Sequence, residues 1–352
     1  MITTIIFLTL LLIGFPIFAS ILIAAIVFMI FHDMSLLFTG IPKQLYSAVD
    51  KNSLLAIPLF LLIGEVMNKG GLTPRIIAVA DLLVGRLRGG LAYTNLLTNG
   101  LASSILGSSL AQIGIMSKVM TPAMVKKGYD RGFSNALTVA GGLLGPIFPP
   151  SMLLIIYGIV AVQPIGPLFI AGILPAILLG LGLGLVILFY VVTDNKKIPK
   201  VAIRKEKRSK KEILKILFDG ILPSSIPIVI IWGVASGVMT PTESGAVGSL
   251  IAFILGFVYR EIRFKDLYEI FIAVANITAL ICGLIAAATF LSWVLTFEGV
   301  PDLLVSYITD VTTSPFIFLL LVIIIYMFLG MFLETISVLI VLVPILMPVV
   351  YE

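Results

Sequence analysis

Between Arg88 and Lys118 the chain runs for 29 residues without a charge, GGLAYTNLLTNGLASSILGSSLAQIGIMS. The stretch holds five glycines, five serines, two threonines, two asparagines and a glutamine, too polar and too broken for an ordinary membrane helix. A second uncharged run carries Gly141-Gly142-Leu143-Leu144-Gly145-Pro146-Ile147-Phe148-Pro149-Pro150-Ser151 in its middle. Glycine and proline interrupt the helical ladder, and hydrocarbon offers no partner to the backbone groups they free. Such segments persist at membrane depth only where protein wraps them or where they line a polar cavity. Interrupted helices of this kind are how secondary transporters build ion and substrate sites.

Composition fixes the solvent. The chain is 60% hydrophobic and 12% charged, against roughly 25% charged in an ordinary soluble domain. Uncharged runs occupy 1–31, 89–117, 132–193, 220–242, 270–297 and 311–333. Each reaches the ~18–20 residues that span a bilayer as a helix. An all-α polytopic membrane protein is the expected fold class. The opening MITTIIFLTLLLIGFPIF lacks the basic start of a secretion signal and is expected to be a true first span. Cys282 is the single cysteine, so no disulfide framework or cysteine metal cluster is available. The lone His32, beside Asp33, reads as interfacial.

The formal charge of +5 does not point to nucleic acid, because ten of the 23 Lys and Arg crowd into residues 196–215. A short basic loop between spans marks the cytoplasmic side. Counting back from it, a span near 166–193 enters from outside and a broken helix at 133–160 leaves the cytoplasm. Lys118, Lys126, Lys127 and Arg131 then lie inside with Arg86 and Arg88, so 89–120 begins and ends on one face. Each half of 89–117 reaches about 20 Å at ~1.5 Å per residue, short of a ~30 Å core. A re-entrant hairpin is expected, its tip near Gly107-Ser108-Ser109 and the N-terminus of the chain outside.

The second half repeats the first at an offset of about 225 residues. Pro16 answers Pro241, Gly70-Gly71-Leu72 answers Glu298-Gly299-Val300, and Gly107-Ser108-Ser109 falls near Gly330 to Thr335. Thr121-Pro122-Ala123-Met124 falls near Leu346-Met347-Pro348-Val349. The expected organisation is a first repeat over 1–195, the basic loop 196–215, and a second repeat over 216–352 with a hairpin at about 315–350. The partner of Pro149-Pro150 would lie near residue 375, so a C-terminally incomplete second repeat is expected, from a protein of roughly 420 residues.

A hairpin tip and an unwound helix supply what a small cation needs: free carbonyls and hydroxyl oxygens. Ser103, Ser104, Gly107, Ser108 and Ser109 read as one edge of a site. Gly145, Pro146, Pro149, Pro150 and Ser151 read as the facing edge. The half-helix from Ser109 would aim its positive end at an anionic group. Gly141, Gly142 and the glycines at 180–184 read instead as packing positions. Gly330, Glu334 and Thr335 mark the second tip, where a carboxylate could meet a cation directly. Glu243 follows Thr240-Pro241 and reads as a helix cap. No intramembrane Arg or Lys pairs with an anion, so a substrate carboxylate would rely on helix dipoles, hydroxyls and a bound cation.

These blocks together resemble the large membrane subunit of the tripartite ATP-independent periplasmic (TRAP) transporter family. Those that carry the likeness are Ile57 to Glu65, Val84 to Leu91, Gly107-Ser108-Ser109, Thr121 to Met124, Lys127-Gly128-Tyr129-Asp130, Gly145 to Ser151, Pro241-Thr242-Glu243 and Gly330 to Thr335. The resemblance implies an elevator-type fold with two inverted repeats, re-entrant hairpins and broken helices in the bacterial inner membrane. It implies import of an organic anion coupled to Na+ as the coupling ion, the anion being a C4-dicarboxylate, sugar acid or keto acid. A small four-helix TRAP membrane subunit and a periplasmic substrate-binding protein would be the partners. The sodium sites implied fall at Ser103 to Ser109, Gly145 to Ser151 and Gly330 to Thr335.

Other readings stay open. One is a sodium/anion symporter of related fold that needs no binding protein; another is a membrane fragment that does not transport. An intramembrane enzyme lacks support, because the sequence holds no His/Glu metal set and no Asp-rich diphosphate motif.

Overall fold

The computed structural model describes residues 2–106, 109–193, 198, 209–312, 314–331 and 333–351; of 2–4, 102–106, 110–111 and 311 it describes the backbone alone. The helices are α1 (Ile2–Leu12), α2 (Ile17–Phe31), α3 (Ile41–Val49), α4 (Ala56–Lys69), α5 (Leu72–Val84), α6 (Gly90–Leu106), α7 (Ser109–Lys126) and α8 (Arg131–Gly142). They continue as α9 (Met152–Val160), α10 (Ile165–Thr193), α11 (Lys210–Ala235), α12 (Pro241–Val258), α13 (Phe264–Phe297), α14 (Val300–Val311), α15 (Pro315–Gly330) and α16 (Thr335–Tyr351). No strand occurs among the described residues. By length and composition α10, α11, α12 and α13 can each cross a bilayer. The fold is all-α and polytopic.

Local chemistry explains where helices stop. The opening apolar run is not one span: Gly14 adopts φ 84°, Gly14 N–H donates to Leu11 O and Phe15 N–H to Leu10 O, and Pro16 starts α2. That bond pair around a left-handed glycine is a Schellman stop. Gly128, at φ 88°, ends α7 the same way, with Tyr129 N–H donating to Met124 O. Asp130 then caps α8 by accepting from Phe133 N–H at 2.7 Å. The basic segment is not all loop either. Ser209 and Glu212 form a capping box, so Lys210, Lys211 and Lys215 belong to α11; residues 194–197 and 199–208 lie outside the described ones.

The chain divides into two compact units, each described by itself. The larger comprises Leu55–Ile155 and Pro164–Ala275. In it α12 lies on α4 through small residues: a Cβ built on Gly245 would stand 3.0 Å from Leu59 Cβ, and one on Gly248 2.7 Å from Ile63 Cδ1. Small residues let backbones approach closely where lipid gives helices no hydrophobic reason to associate. Gly220 of α11 sits closer still to Val79 of α5. A second core joins Ala92 and Leu96 of α6, Met124 of α7, Phe133 and Leu137 of α8, and Ile187 and Val191 of α10. At one corner Arg75 donates to Gly71 O at 2.6 Å and lies 4.0 Å over the Tyr259 ring.

The smaller unit holds Met1–Leu54, Ile156–Gln163 and Asn276–Glu352. Its core sets Ala25 and Met29 of α2 against Phe290 and Val294 of α13. Gln163 Nε2 donates to the Tyr351 hydroxyl at 2.8 Å, joining the end of α9 to the end of α16.

One corner recurs. Gly71 precedes α5 at φ 63°, ψ 21°, and Gly299 precedes α14 at φ 66°, ψ 18°. These are the glycines that the sequence repeat aligns.

Candidate functional site

The 89–117 run forms two helical arms. α6 has 17 residues and α7 has 18, about 26 and 27 Å at ~1.5 Å per residue, longer than the ~20 Å arms expected from the sequence and close to the ~30 Å of a hydrocarbon core. The second arm continues beyond residue 120, passing through Pro122 to Lys126. Gly107 and Ser108 lie outside the described residues, and of Ser103 and Ser104 the backbone alone is described, in the last turns of α6. Ser109 begins α7 and is half-buried.

The facing segment is interrupted between α8 and α9. Leu143, Leu144 and Gly145 continue with N–H groups bonded three residues back, to Ala140, Gly141 and Gly142. Pro146, Pro149 and Pro150 carry no N–H. The Gly145 carbonyl therefore has no helical donor at Pro149. Ser151, fully buried, donates its hydroxyl at 2.6 Å to Pro146 O, which Pro150 cannot serve. The Pro149–Pro150 bond is cis. From α10, Gly172 approaches this break so closely that a Cβ there would stand 2.8 Å from Ile147 O.

Between hairpin and break runs a chain of buried amides that reasoning on serine and proline did not single out. Gln112 Nε2 of α7 donates to Asn99 O at 2.7 Å and Asn99 Oδ1 at 2.9 Å. Asn99 Nδ2 donates to Asn95 O and Oδ1, and Asn95 Nδ2 to Thr138 Oγ1 of α8 at 2.8 Å. Thr138 donates to Ser134 O, and Ser134 to Asp130 O. Gln112, Asn99, Asn95, Thr138 and Ser134 are fully buried. Gln112 Oε1 has no hydrogen-bond partner among the described residues, and neither do Thr94, Thr98 and Thr121 Oγ1 on the same arms. A buried polar atom without a partner costs about 1–3 kcal/mol. The signal was present in the sequence: Thr94-Asn95 and Thr98-Asn99, four apart, repeat one polar pair on one helix face.

Gly330, Glu334 and Thr335 belong to the smaller unit. α15, with 16 residues, ends at Gly330 and α16, with 17, begins at Thr335. Glu334 is exposed and sits just before α16, where its carbonyl accepts from Val338 N–H at 3.1 Å. A carboxylate there also suits a helix start. Glu243 is the expected cap: its carboxylate accepts from Thr240 N–H at 2.7 Å, and its own N–H donates to Thr240 Oγ1 at 3.2 Å. Lys69 pairs with Glu269 at 2.7 Å, and His32 Nδ1 lies 2.9 Å from Phe28 O. Among the described residues no group of three His, Cys, Asp or Glu is placed to hold a metal.

Two packed helical arms, a proline-broken helix and apolar spans define a multi-pass membrane protein with interrupted helices. The family described as "Tripartite ATP-independent periplasmic transporter, DctM component" matches residues 4–352, and the chain belongs to that family. It is 34% identical over 340 residues to the sialic acid TRAP transporter large permease protein SiaM of Vibrio cholerae, covering 96% of this chain and 77% of that one. It is 35% identical to the C4-dicarboxylate large permease DctM of Pseudomonas aeruginosa, over 88% of this chain and 71% of that one. It is 32% identical to the 2,3-diketo-L-gulonate large permease YiaN of Escherichia coli, over 97% and 79%. The chain is thus a transporter permease rather than an enzyme.

Proposed function

We propose that this chain is the membrane subunit through which an organic acid anion is imported into a bacterial cell with Na+ as the coupling ion. The observation that carries the reading is the first hairpin seated on the interrupted helix. There α6 and α7 pack on α8 at the point where Gly145 loses its helical donor. Hydroxyls of Ser103, Ser104, Ser108 and Ser109 with carbonyls of Gly145 to Pro150 would furnish the oxygens of one cation site. Gly330, Glu334 and Thr335 would furnish part of a second. The α7 N-terminus favours the anion's charge. The compounds named for the three relatives all carry a carboxylate, which supports an acid as the cargo.

On this reading the chain sits in the inner membrane with its N-terminus outside and residues 196–215 cytoplasmic. It works with a small membrane subunit and a periplasmic substrate-binding protein, through an elevator-type motion of two inverted repeats. Proteoliposomes holding the assembled membrane subunits test it. An imposed inward sodium gradient, with the binding protein outside, drives uptake of the labelled acid, and potassium in place of sodium does not. Undiminished uptake without sodium would refute the coupling. Undiminished uptake without the binding protein would favour the symporter that needs none.

A further inference from the structure

Asn99 stands about two turns before the end of α6 and Gln112 about one turn after the start of α7, on opposite arms. Asn99 shares a face of α6 with Ser103, four residues on, and Gln112 follows Ser109 by three in α7. Their bonds cross from one arm to the other. The amide orientation is forced: reversing Gln112 would set its oxygen against both Asn99 oxygens now 2.7 and 2.9 Å from its nitrogen. The brace also rests on bare backbone. A Cβ built on Gly141 would stand 3.0 Å from Asn99 Nδ2, one on Gly142 2.3 Å from Ile113 Cγ1, and one on Gly145 2.7 Å from Gln112 Oε1. Both arms are thus registered against the same end of α8. A slip of one residue along α6 or α7 turns a side chain by about 100° and moves it ~1.5 Å. That would break the amide bonds in a place where water cannot replace them.

We propose that Asn99 and Gln112 are positioning residues for cation coupling: they fix where the serine-bearing arms α6 and α7 stand relative to the carbonyls of the break. This rests on the reading that tip and break together bind the coupling sodium. Neither amide is asked to touch the ion. Gly141, Gly142 and Gly145 acquire a shared role, as the surface that receives Asn99, Ile113 and Gln112.

The experiment measures sodium-dependent uptake by Gln112→Leu in the assembled carrier, together with the rise in melting temperature that sodium causes in detergent. The sodium concentration giving half-maximal uptake is expected to rise about tenfold or more. Substrate half-saturation at saturating sodium stays within about twofold, as for a change that spares the substrate contacts. The sodium-induced rise in melting temperature shrinks in parallel. A purely structural role would lower yield and maximal rate and leave the sodium requirement unchanged, and that result overturns the proposal. Should Gln112→Leu fail to fold, Gln112→Asn asks the same question by keeping the amide and shortening its reach; an unchanged sodium requirement there overturns it equally. Wild-type protein with no sodium response removes the underlying reading, and the proposal with it.

Discussion

The Ser249 hydroxyl on α12 donates at 2.9 Å to the Leu59 carbonyl on α4, across 190 residues of sequence. It reaches that far because Gly245 and Gly248 on the same face carry no side chain to hold the helices apart. Gly248→Leu is expected to destabilise the protein by about 1–3 kcal/mol through overpacking against Ile63 and Ile230. Ser249→Ala removes one hydrogen bond and costs about 0.5–1.5 kcal/mol. Melting curves in detergent give the order of the two; an equal or reversed effect would show that close approach is not what joins α4 to α12.

Asp130 starts α8 with a side-chain bond to Phe133 N–H. Asp130→Ala should cost about 0.5–2 kcal/mol, as loss of an N-cap does. Asp130→Asn retains the accepting oxygen and should stay near wild type. If Asn behaves like Ala in the same melting assay, the carboxylate's charge rather than its cap bond is what matters there.

The serine tip of the first hairpin is assigned hydroxyl oxygens for sodium. Ser108→Ala with Ser109→Ala should raise the sodium concentration for half-maximal uptake by roughly tenfold, equal to ~1.4 kcal/mol of lost binding. Uptake at varied sodium and saturating acid checks it. An unchanged requirement would move the site away from the tip.

Orientation has its own test. Single cysteines placed at Lys205 and at Thr3, in a Cys282→Ser background, should react from opposite faces with a thiol reagent that does not cross the membrane. The cysteine at Lys205 should label only after the membrane is opened from the cytoplasmic side. Labelling of that cysteine in intact spheroplasts would reverse the topology.

Much of the architecture was legible because its signals are local. Charge-free runs marked the membrane helices, and Thr240-Pro241-Thr242-Glu243 marked a cap that the structure contains. The first run misled because hydropathy ignores backbone direction: Gly14 and Pro16 divide it into helices of 11 and 15 residues without one polar side chain between them. Charge alone makes the basic stretch look like loop through residue 215, yet Ser209 and Glu212 start α11 with a capping box. Within the site, serines and prolines were visible as isolated chemistry. Of the amide chain only the polar pairs Thr94-Asn95 and Thr98-Asn99 are visible there; its bonds to Gln112 and Thr138 depend on α6, α7 and α8 meeting, which one sequence does not show.

The corner shared by Gly71 and Gly299 has a consequence for how the two halves tolerate change. Both need a left-handed backbone, which asparagine can adopt at modest cost. Around Gly71, however, a Cβ would meet Arg75 Nη1 at 3.0 Å and Glu261 Cγ at 3.1 Å, whereas around Gly299 the nearest atom, Asp302 Oδ2, is 3.9 Å away. Asparagine should therefore be accepted at 299 and refused at 71, by expression level of folded carrier. The same left-handed bend is thus walled in at 71 and open at 299, so only the second leaves room for a side chain.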